Sequence, residues 1–340
     1  MRPSFFHHLH PPTIPAAQAR WRHTLGAGGT AVFLLLVLGV TGILEMFYYV
    51  PSPDEAALSV QTIAYLVPFG GFVRNLHFWS AQALIVVAAL HLLRVVFTAA
   101  YKSPRRFNYL LGLGLFVLAV LLDFTGYILR WDVDICWPLT TGTNLLKTIP
   151  LIGGFLFRLA IGGGEACQTA LTRFYTWHLF GLAIPIVVLG VWHIFRVRRD
   201  GGIAAPPANL FLRRARVPRN ELVRREVLTM FAVGIPLILL AALVPAPIAP
   251  AMTGAPSPTD EARAPWFFLW VQEMLKWGDP FIFGVLIPLG ILAVLALVPY
   301  VFPQPADQDI GRWFPKSNRL AQSVVALIGL FILILTLANR

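Results

Sequence analysis

The chain has 340 residues, 57% of them hydrophobic and only 13% charged, with a mean hydropathy of +0.70 and a formal charge of +11. Apolar density of this order leaves too little polar surface for a water-soluble enzyme and marks a polytopic membrane protein. The charge does not indicate nucleic acid as a partner, because it is concentrated at the ends of apolar runs rather than spread along one face.

Residues 1–27 form a polar, basic arm (Arg2, Arg20, Arg22) without an early apolar stretch, so no cleavable signal peptide is expected and an interfacial helix would suit the segment. Seven runs then follow, approximately Ala31–Val50, Trp79–Ala99, Tyr109–Leu129, Thr176–Phe195, Leu228–Ile248, Phe281–Phe302 and Ala321–Ala338. Each is about 20 residues, enough to cross a hydrocarbon core of roughly 30 Å as a helix. Their continuous apolar character argues against alternating barrel strands, so the predicted fold class is all-α, a seven-span bundle. Lys and Arg gather in the arm, after the second run (Arg94, Lys102, Arg105, Arg106) and after the fourth (Arg196, Arg198, Arg199, Arg213, Arg214, Arg216, Arg219). The intervening loops carry Asp54, Glu55, Asp132, Asp134, Glu165, Asp260 and Glu261. The asymmetry predicts a cytoplasmic N-terminus and a periplasmic C-terminus in a bacterial-type inner membrane.

Two shorter apolar stretches, Ile149–Gly163 and Ala264–Trp277, cannot span and are expected to lie along the outer surface. Cys136 and Cys167 both fall in the outer loop between the third and fourth runs, where either a disulfide or two buried thiols is possible. The basic, Pro/Gly-rich stretch after the fourth run separates a four-span part (28–219) from a three-span part (220–340).

Four of the eight histidines lie in or at the ends of these runs, His77 and His91 with the second and His178 and His193 with the fourth. Ionisable side chains are costly in a bilayer and mark function. His77 and His91 are 14 residues apart, His178 and His193 are 15 apart, and each interval returns close to the same helix face roughly 20 Å further on. The second and fourth helices run parallel, so His77 is expected to meet His178 near the outside and His91 to meet His193 near the inside. Two imidazoles at each depth suit the axial positions of two haem irons. Zinc is a poorer match, since neither depth offers a cysteine or carboxylate to complete four ligands. Gly28 and Gly42, and likewise Gly112 and Gly126, repeat the 14-residue interval on the neighbouring helices. They would let flat macrocycles press on backbone, although small residues also serve ordinary helix packing.

The segments "RNLHFWSAQALIVVAALHLLRV", "TGYILRWD" and "LTRFYTWH" resemble the cytochrome b signatures of quinol:cytochrome oxidoreductases. The 15-residue interval resembles the chloroplast and cyanobacterial type, and the chain looks like a fusion, joined near Asn220, to a part similar to subunit IV. The resemblance implies two non-covalent b-type haems, with Arg74 and Arg94 pairing with their propionates. It also implies an outer quinol-oxidising site and an inner quinone-reducing site. The outer one would involve Tyr127, the segment after Trp131, and Pro265, Trp266 and Phe267. The inner one would lie near His91 and His193, with Lys102 and Arg198 as neighbours. A quinone cycle coupled to proton translocation, in a respiratory or photosynthetic complex, is the implied activity.

Three departures from the family pattern matter. The usual Pro-Glu-Trp-Tyr reads Ala264-Pro265-Trp266-Phe267, without its carboxylate, in the manner of lineages using menaquinol. Gly26 stands where the chloroplast type has a cysteine that attaches a further haem, so no covalently attached haem is expected. Arg130 stands where the family usually has Pro. The missing carboxylate leaves Glu45, Asp123 and Glu273 as candidate proton acceptors, each alternatively a carboxylate bonded to loop backbone or paired with Arg130. The chain has no Cys-x-x-Cys-His for c-type haem and no Cys/His cluster for a Rieske centre. The first electron acceptor is therefore expected to be a partner, a Rieske-type iron–sulfur subunit or another high-potential acceptor, alongside a c-type cytochrome subunit, and the resemblance implies a homodimer of complexes. Two rivals are a dihaem membrane anchor of a dehydrogenase and a haem-free seven-helix transporter.

Overall fold

A computed structural model describes residues 11–163, 166–206, 215–251 and 263–338. Among the described residues, seven helices are long and apolar enough to cross a membrane, at Ala27–Met46, Gly70–Phe97, Arg106–Ile128, Ala170–Arg199, Asn220–Leu243, Ile282–Val301 and Lys316–Ala338. The chain is a multi-pass membrane protein, with outward faces rich in exposed Leu, Ile, Val and Phe, as lipid demands. The described part of the arm, from residue 11, contains two short 3-10 turns, Ala16–Ala19 and Trp21–His23; residues 1–10, on which an interfacial helix could also fall, lie outside the described residues. The arm is anchored by a three-residue ribbon in which β1 (Thr13–Pro15) pairs antiparallel with β2 (Arg216–Pro218).

The second span begins nine residues before its apolar run, at Gly70, so Arg74, Asn75 and His77 are helical. Their polarity hides the start from a hydropathy reading, but the structure satisfies it. Arg74 donates to the carbonyls of Ala246 (3.1 Å) and Pro247 (2.6 Å), and Asn75 donates to Ala241 O (2.9 Å). Trp79 donates its indole N–H to Val244 O (2.9 Å), fastening this end of span two to the end of span five. At the opposite end Asn318, in the first turn of span seven, donates to Val96 O (2.7 Å), and Tyr101 donates to Asn318 Oδ1 (2.5 Å).

The C-terminal helices share cores with the first four. Leu237 of span five is buried with Leu34, Leu84, Ala119 and Ile186, while Leu295, Val298, Ala321 and Val325 are buried with Val96, Tyr109 and Leu113. Between the spans lie short helices. Gly153–Ile161 buries Phe157 and Ile161 while exposing Phe155 and Leu159, as a surface-lying helix should. Trp266–Phe268 and Leu269–Leu275 form the second surface segment, burying Phe267, Leu269, Val271 and Met274. Two more helices, Ala56–Tyr65 and Cys136–Lys147, were not legible as separate elements. Cys136 is buried and disulfide-bonded, and the side chain of Cys167 lies outside the described residues.

Arg130 closes the loop after span three. It donates to Asp132 Oδ2 through Nε (2.8 Å) and Nη2 (2.5 Å), and to Asp134 (3.0 Å). Asp132 also accepts from Ala249 N (3.2 Å), and Val133 N donates to Pro250 O (3.0 Å). Burial pushes the Asp132 carboxyl above the usual carboxylate range, against the pull of Arg130. The pair is therefore retained at a desolvation cost, yet breaking it strands a charge. Asp132→Ala is expected to destabilise the protein by about 3 kcal/mol, and Arg130→Leu added to it should recover much of the loss. Thermal unfolding in detergent checks this; equal melting temperatures for wild type and the single variant would contradict it.

Candidate functional site

The four histidines converge in two pairs, as the spacing predicts. The rings of His77 and His178 lie with centroids 6.4 Å apart, tilted by 58°. His91 and His193 are electrostatic neighbours at the other depth. Each ring rests against a glycine of the adjacent helix. A Cβ at Gly42 would stand 3.1 Å from His77 Cε1, and at Gly28 3.4 Å from His91 Cε1. At Gly126 it would stand 3.0 Å from His178 Cε1, and at Gly112 3.2 Å from His193 Cε1. Span one thus lines the histidines of span two, and span three lines those of span four.

The intervals of 14 and 15 residues are reconciled by a π-helical turn, Trp177–Leu182, that contains His178. Its wider winding takes up one extra residue, so both histidines of span four keep the facing set by span two. The two depths also differ. Nδ1 of His77 lies 2.9 Å from Thr41 Oγ1, and Nδ1 of His178 lies 2.9 Å from Thr125 Oγ1 and 3.1 Å from Leu122 O. Among the described residues, neither Nδ1 of His91 nor Nδ1 of His193 has a hydroxyl partner; both are buried without one, and the backbone of Asn108 lies beside His193.

The flanking cations occupy distinct places. Arg94 is buried and donates to Ala204 O (3.2 Å), and its buried Nε meets no hydrogen-bond partner among the described residues. Lys102 pairs with Asp307 (2.8 Å) in the loop between spans six and seven. Arg198 has Glu226 and Arg219 as charged neighbours, at the linker and span five.

At the end carrying His77 and His178, the short aromatic segment leans on span three. Phe268 packs edge-on against Phe124 (5.5 Å, 77°), and Phe267 is buried beside it. Trp266 donates its indole N–H to Gln82 Oε1 of span two (2.6 Å). Gln82 in turn donates Nε2 to Asp123 Oδ1 (3.0 Å) and Oδ2 (3.1 Å). Tyr127 lies under the Arg130 guanidinium, 5.2 Å from its ring centre, and donates to Asp134 O (3.3 Å). Of the other two carboxylates, Glu45 has Arg74 as its charged neighbour and a buried, unbonded Oε1. Glu273 pairs with Lys276 at 2.5 Å. Among the described residues, no group of three or more His, Cys, Asp or Glu side chains is placed to hold a metal.

The family model described as cytochrome b (N-terminal)/b6/petB matches residues 82–256, which include His91, His178 and His193. The chain belongs to the cytochrome b family. It is 37% identical to cytochrome b6 of Heliomicrobium gestii over 183 residues, covering 53% of this chain and 86% of that one. It is 36% identical to cytochrome b6 of Euglena gracilis over 174 residues, covering 51% of this chain and 81% of that one. A chain of a hyperthermophilic respiratory Complex III has the same fold, with a TM-score of 0.73 at 19% identity, covering 93% of this chain and 91% of that chain. The cytochrome b family match ends at residue 256, whereas the likeness of fold covers 93% of this chain and so extends beyond that match, consistent with a b6-type cytochrome fused to a subunit IV-like part.

Three residues of this cytochrome's site were missed in the sequence. Thr41 and Thr125 immediately precede Gly42 and Gly126, whereas Ala27 and Leu111 precede Gly28 and Gly112. That Thr-Gly contrast was a readable signal. Gln82 was overlooked because only ionisable side chains were sought, although an amide in a bilayer also demands a partner.

Proposed function

We propose that the chain is the cytochrome b subunit of a quinol:acceptor oxidoreductase complex, oxidising quinol at one membrane face and reducing quinone at the other, with proton release outside. The observation that carries the reading is the His77–His178 pair with glycine behind each ring. Two metal–imidazole bonds of about 2 Å, plus the half-width of each ring, come to roughly 6 Å, close to the 6.4 Å between these centroids. The donor set therefore fits a b-type haem gripped by His77 and His178, and the glycine-lined His91 and His193 fit a second. When bound, such haems supply one-electron carriage between the two faces of the bilayer.

The chain's own residues do the rest. Thr41 and Thr125 accept from Nδ1–H and hold each outer imidazole in orientation, which would leave Nε2 free to hold a haem iron when one is bound. Arg94, with a buried unbonded Nε, suits a propionate. Arg74 has two of its five N–H donors engaged by carbonyls, which leaves three for a propionate. Gly28, Gly42, Gly112 and Gly126 leave room for the macrocycles. The outer quinol site is formed by Tyr127 and the Pro265–Phe267 segment, with the missing carboxylate supplied from Glu45, Asp123 or Glu273. The inner site lies near His91 and His193, with Lys102 and Arg198 at its margin. Residues 28–219 form the dihaem part and 220–340 the subunit IV-like part, with the N-terminus cytoplasmic and the C-terminus periplasmic. A Rieske-type subunit and a c-type cytochrome subunit are the proposed partners, menaquinol the substrate, and the complex a homodimer.

The test is quinol-driven reduction in the complex purified from its native membrane. Two b-type haems per chain, both reduced by menaquinol and blocked by an outer-site inhibitor, are expected. A single inhibitor-sensitive quinone site without bifurcation would favour the dehydrogenase anchor, and a chain without a b-type band would end the reading.

A further inference from the structure

The outer end of the bundle holds a directional hydrogen-bond chain that no family motif specifies. Trp266 has only a donor to offer, so the Gln82 group facing it must be the amide oxygen. The Gln82 amide nitrogen therefore faces Asp123 and donates to both carboxylate oxygens, at 3.0 and 3.1 Å. The order Trp266 to Gln82 to Asp123 leaves Asp123 as acceptor at the end of the chain, with lone pairs to spare. Asp123 sits one turn from Gly126, the residue behind His178, and next to Phe124, against which the aromatic segment packs. The other two carboxylates are held differently. Glu273 is engaged by Lys276 within its own short helix and connector, and Glu45 is beside Arg74 on the side fastened to Ala246 and Pro247.

We infer that Asp123 is the first proton acceptor of the outer quinol site, with Gln82 and Trp266 as positioning residues. The inference rests on the quinol-oxidising reading and deepens it. In the step, a quinol hydroxyl O–H bond breaks and an Oδ–H bond forms, giving the quinol monoanion and a neutral Asp123 carboxyl. No electron moves in this step, so it needs no oxidant. Gln82 holds the carboxylate plane by its amide hydrogens, and Trp266 prevents the amide from flipping to present oxygen to oxygen. The carboxylate that the family carries one residue before the Trp-aromatic pair is, in this chain, carried on span three and wired to that same Trp. This accounts for an acidic residue in span three and an amide in span two that lipid would otherwise disfavour.

The test uses the complex from its native membrane, with menaquinol analogue as substrate. Asp123→Asn should lower quinol oxidation at neutral pH by at least about 100-fold, the usual contribution of a general base, while both b-type optical bands keep their amplitude. Asp123→Glu should recover part of the rate. Infrared difference spectra of quinol binding should show a carboxyl C=O band that is lost in Asp123→Asn and displaced in Gln82→Leu, which a purely structural role would not produce. Asp123→Asn turning over within about two-fold of wild type overturns the inference while leaving the quinol-oxidising reading intact, as does a carboxyl band that disappears in Glu45→Gln instead. Absence of quinol-driven reduction in the wild-type complex itself overturns both.

Discussion

Replacing His193 with alanine is expected to reduce the haem content from two per chain to one, while the other remains bound and reducible. The two pairs sit on the same two helices but at depths separated by about four helical turns. Each pair has its own glycines, Gly28 and Gly112 for His91 and His193, Gly42 and Gly126 for His77 and His178. No side chain among these serves both sets, so the loss should be local. His91 has no partner on Nδ1 and would be left as the only axial nitrogen at its depth, with no hydrogen bond to hold its ring. The pair at the other depth keeps both imidazoles and its bonds to Thr41 and Thr125. Haem extraction and quantification, together with a dithionite-reduced spectrum, measure the outcome. Two haems retained per chain in His193→Ala would show that the imidazole pair is not the ligand set.

Much of this arrangement could be read from spacing alone, because a transmembrane helix is nearly rigid and its period converts residue number to depth and direction. The pairing of His77 with His178 follows from one period and one parity argument, and the glycines follow from the same interval. What escaped depended on contacts between distant segments. Span two starts at Gly70 because Arg74 and Asn75 find carbonyl partners at the end of span five and just beyond it, which hydropathy cannot anticipate. The π-helical turn at Trp177–Leu182 is invisible as a pattern, although the one-residue difference between the histidine intervals is its trace. The helix Ala56–Tyr65 buries Ala56, Val60 and Ile63 at helical spacing, but at ten residues, with Ala57 and Ser59 on the same face, its apolar stripe is too short and weak to stand out from the loop. Asp123 was picked out as a carboxylate in the bilayer. Its connection to Trp266 through Gln82 required three segments to be brought together.

Gly126→Val should abolish haem retention at the His77–His178 depth, whereas Gly114→Val on the same helix should leave both haems in place. The Cβ alone would stand 3.0 Å from His178 Cε1, tighter than ordinary van der Waals contact, with Nδ1 at 3.6 Å beside it. Valine adds two methyl groups behind it, and its stiff χ1 cannot swing both away from the ring. His178 is pinned on that side by Thr125 Oγ1 and Leu122 O, so tilting the ring sacrifices those bonds and turns Nε2 off the axis shared with His77. Overpacking of this kind costs about 1–3 kcal/mol, and the misdirected ligand adds to it. At Gly114 a Cβ meets nothing within 4 Å, so the same substitution has no ring to displace. The steric argument also orders the weaker alanine variants, with Gly126 (3.0 Å) and Gly42 (3.1 Å) more sensitive than Gly112 (3.2 Å) and Gly28 (3.4 Å). Haem content per chain and the band amplitude at each depth report the result. Equal retention in Gly126→Val and Gly114→Val would mean that these glycines serve helix packing rather than the space beside the imidazoles.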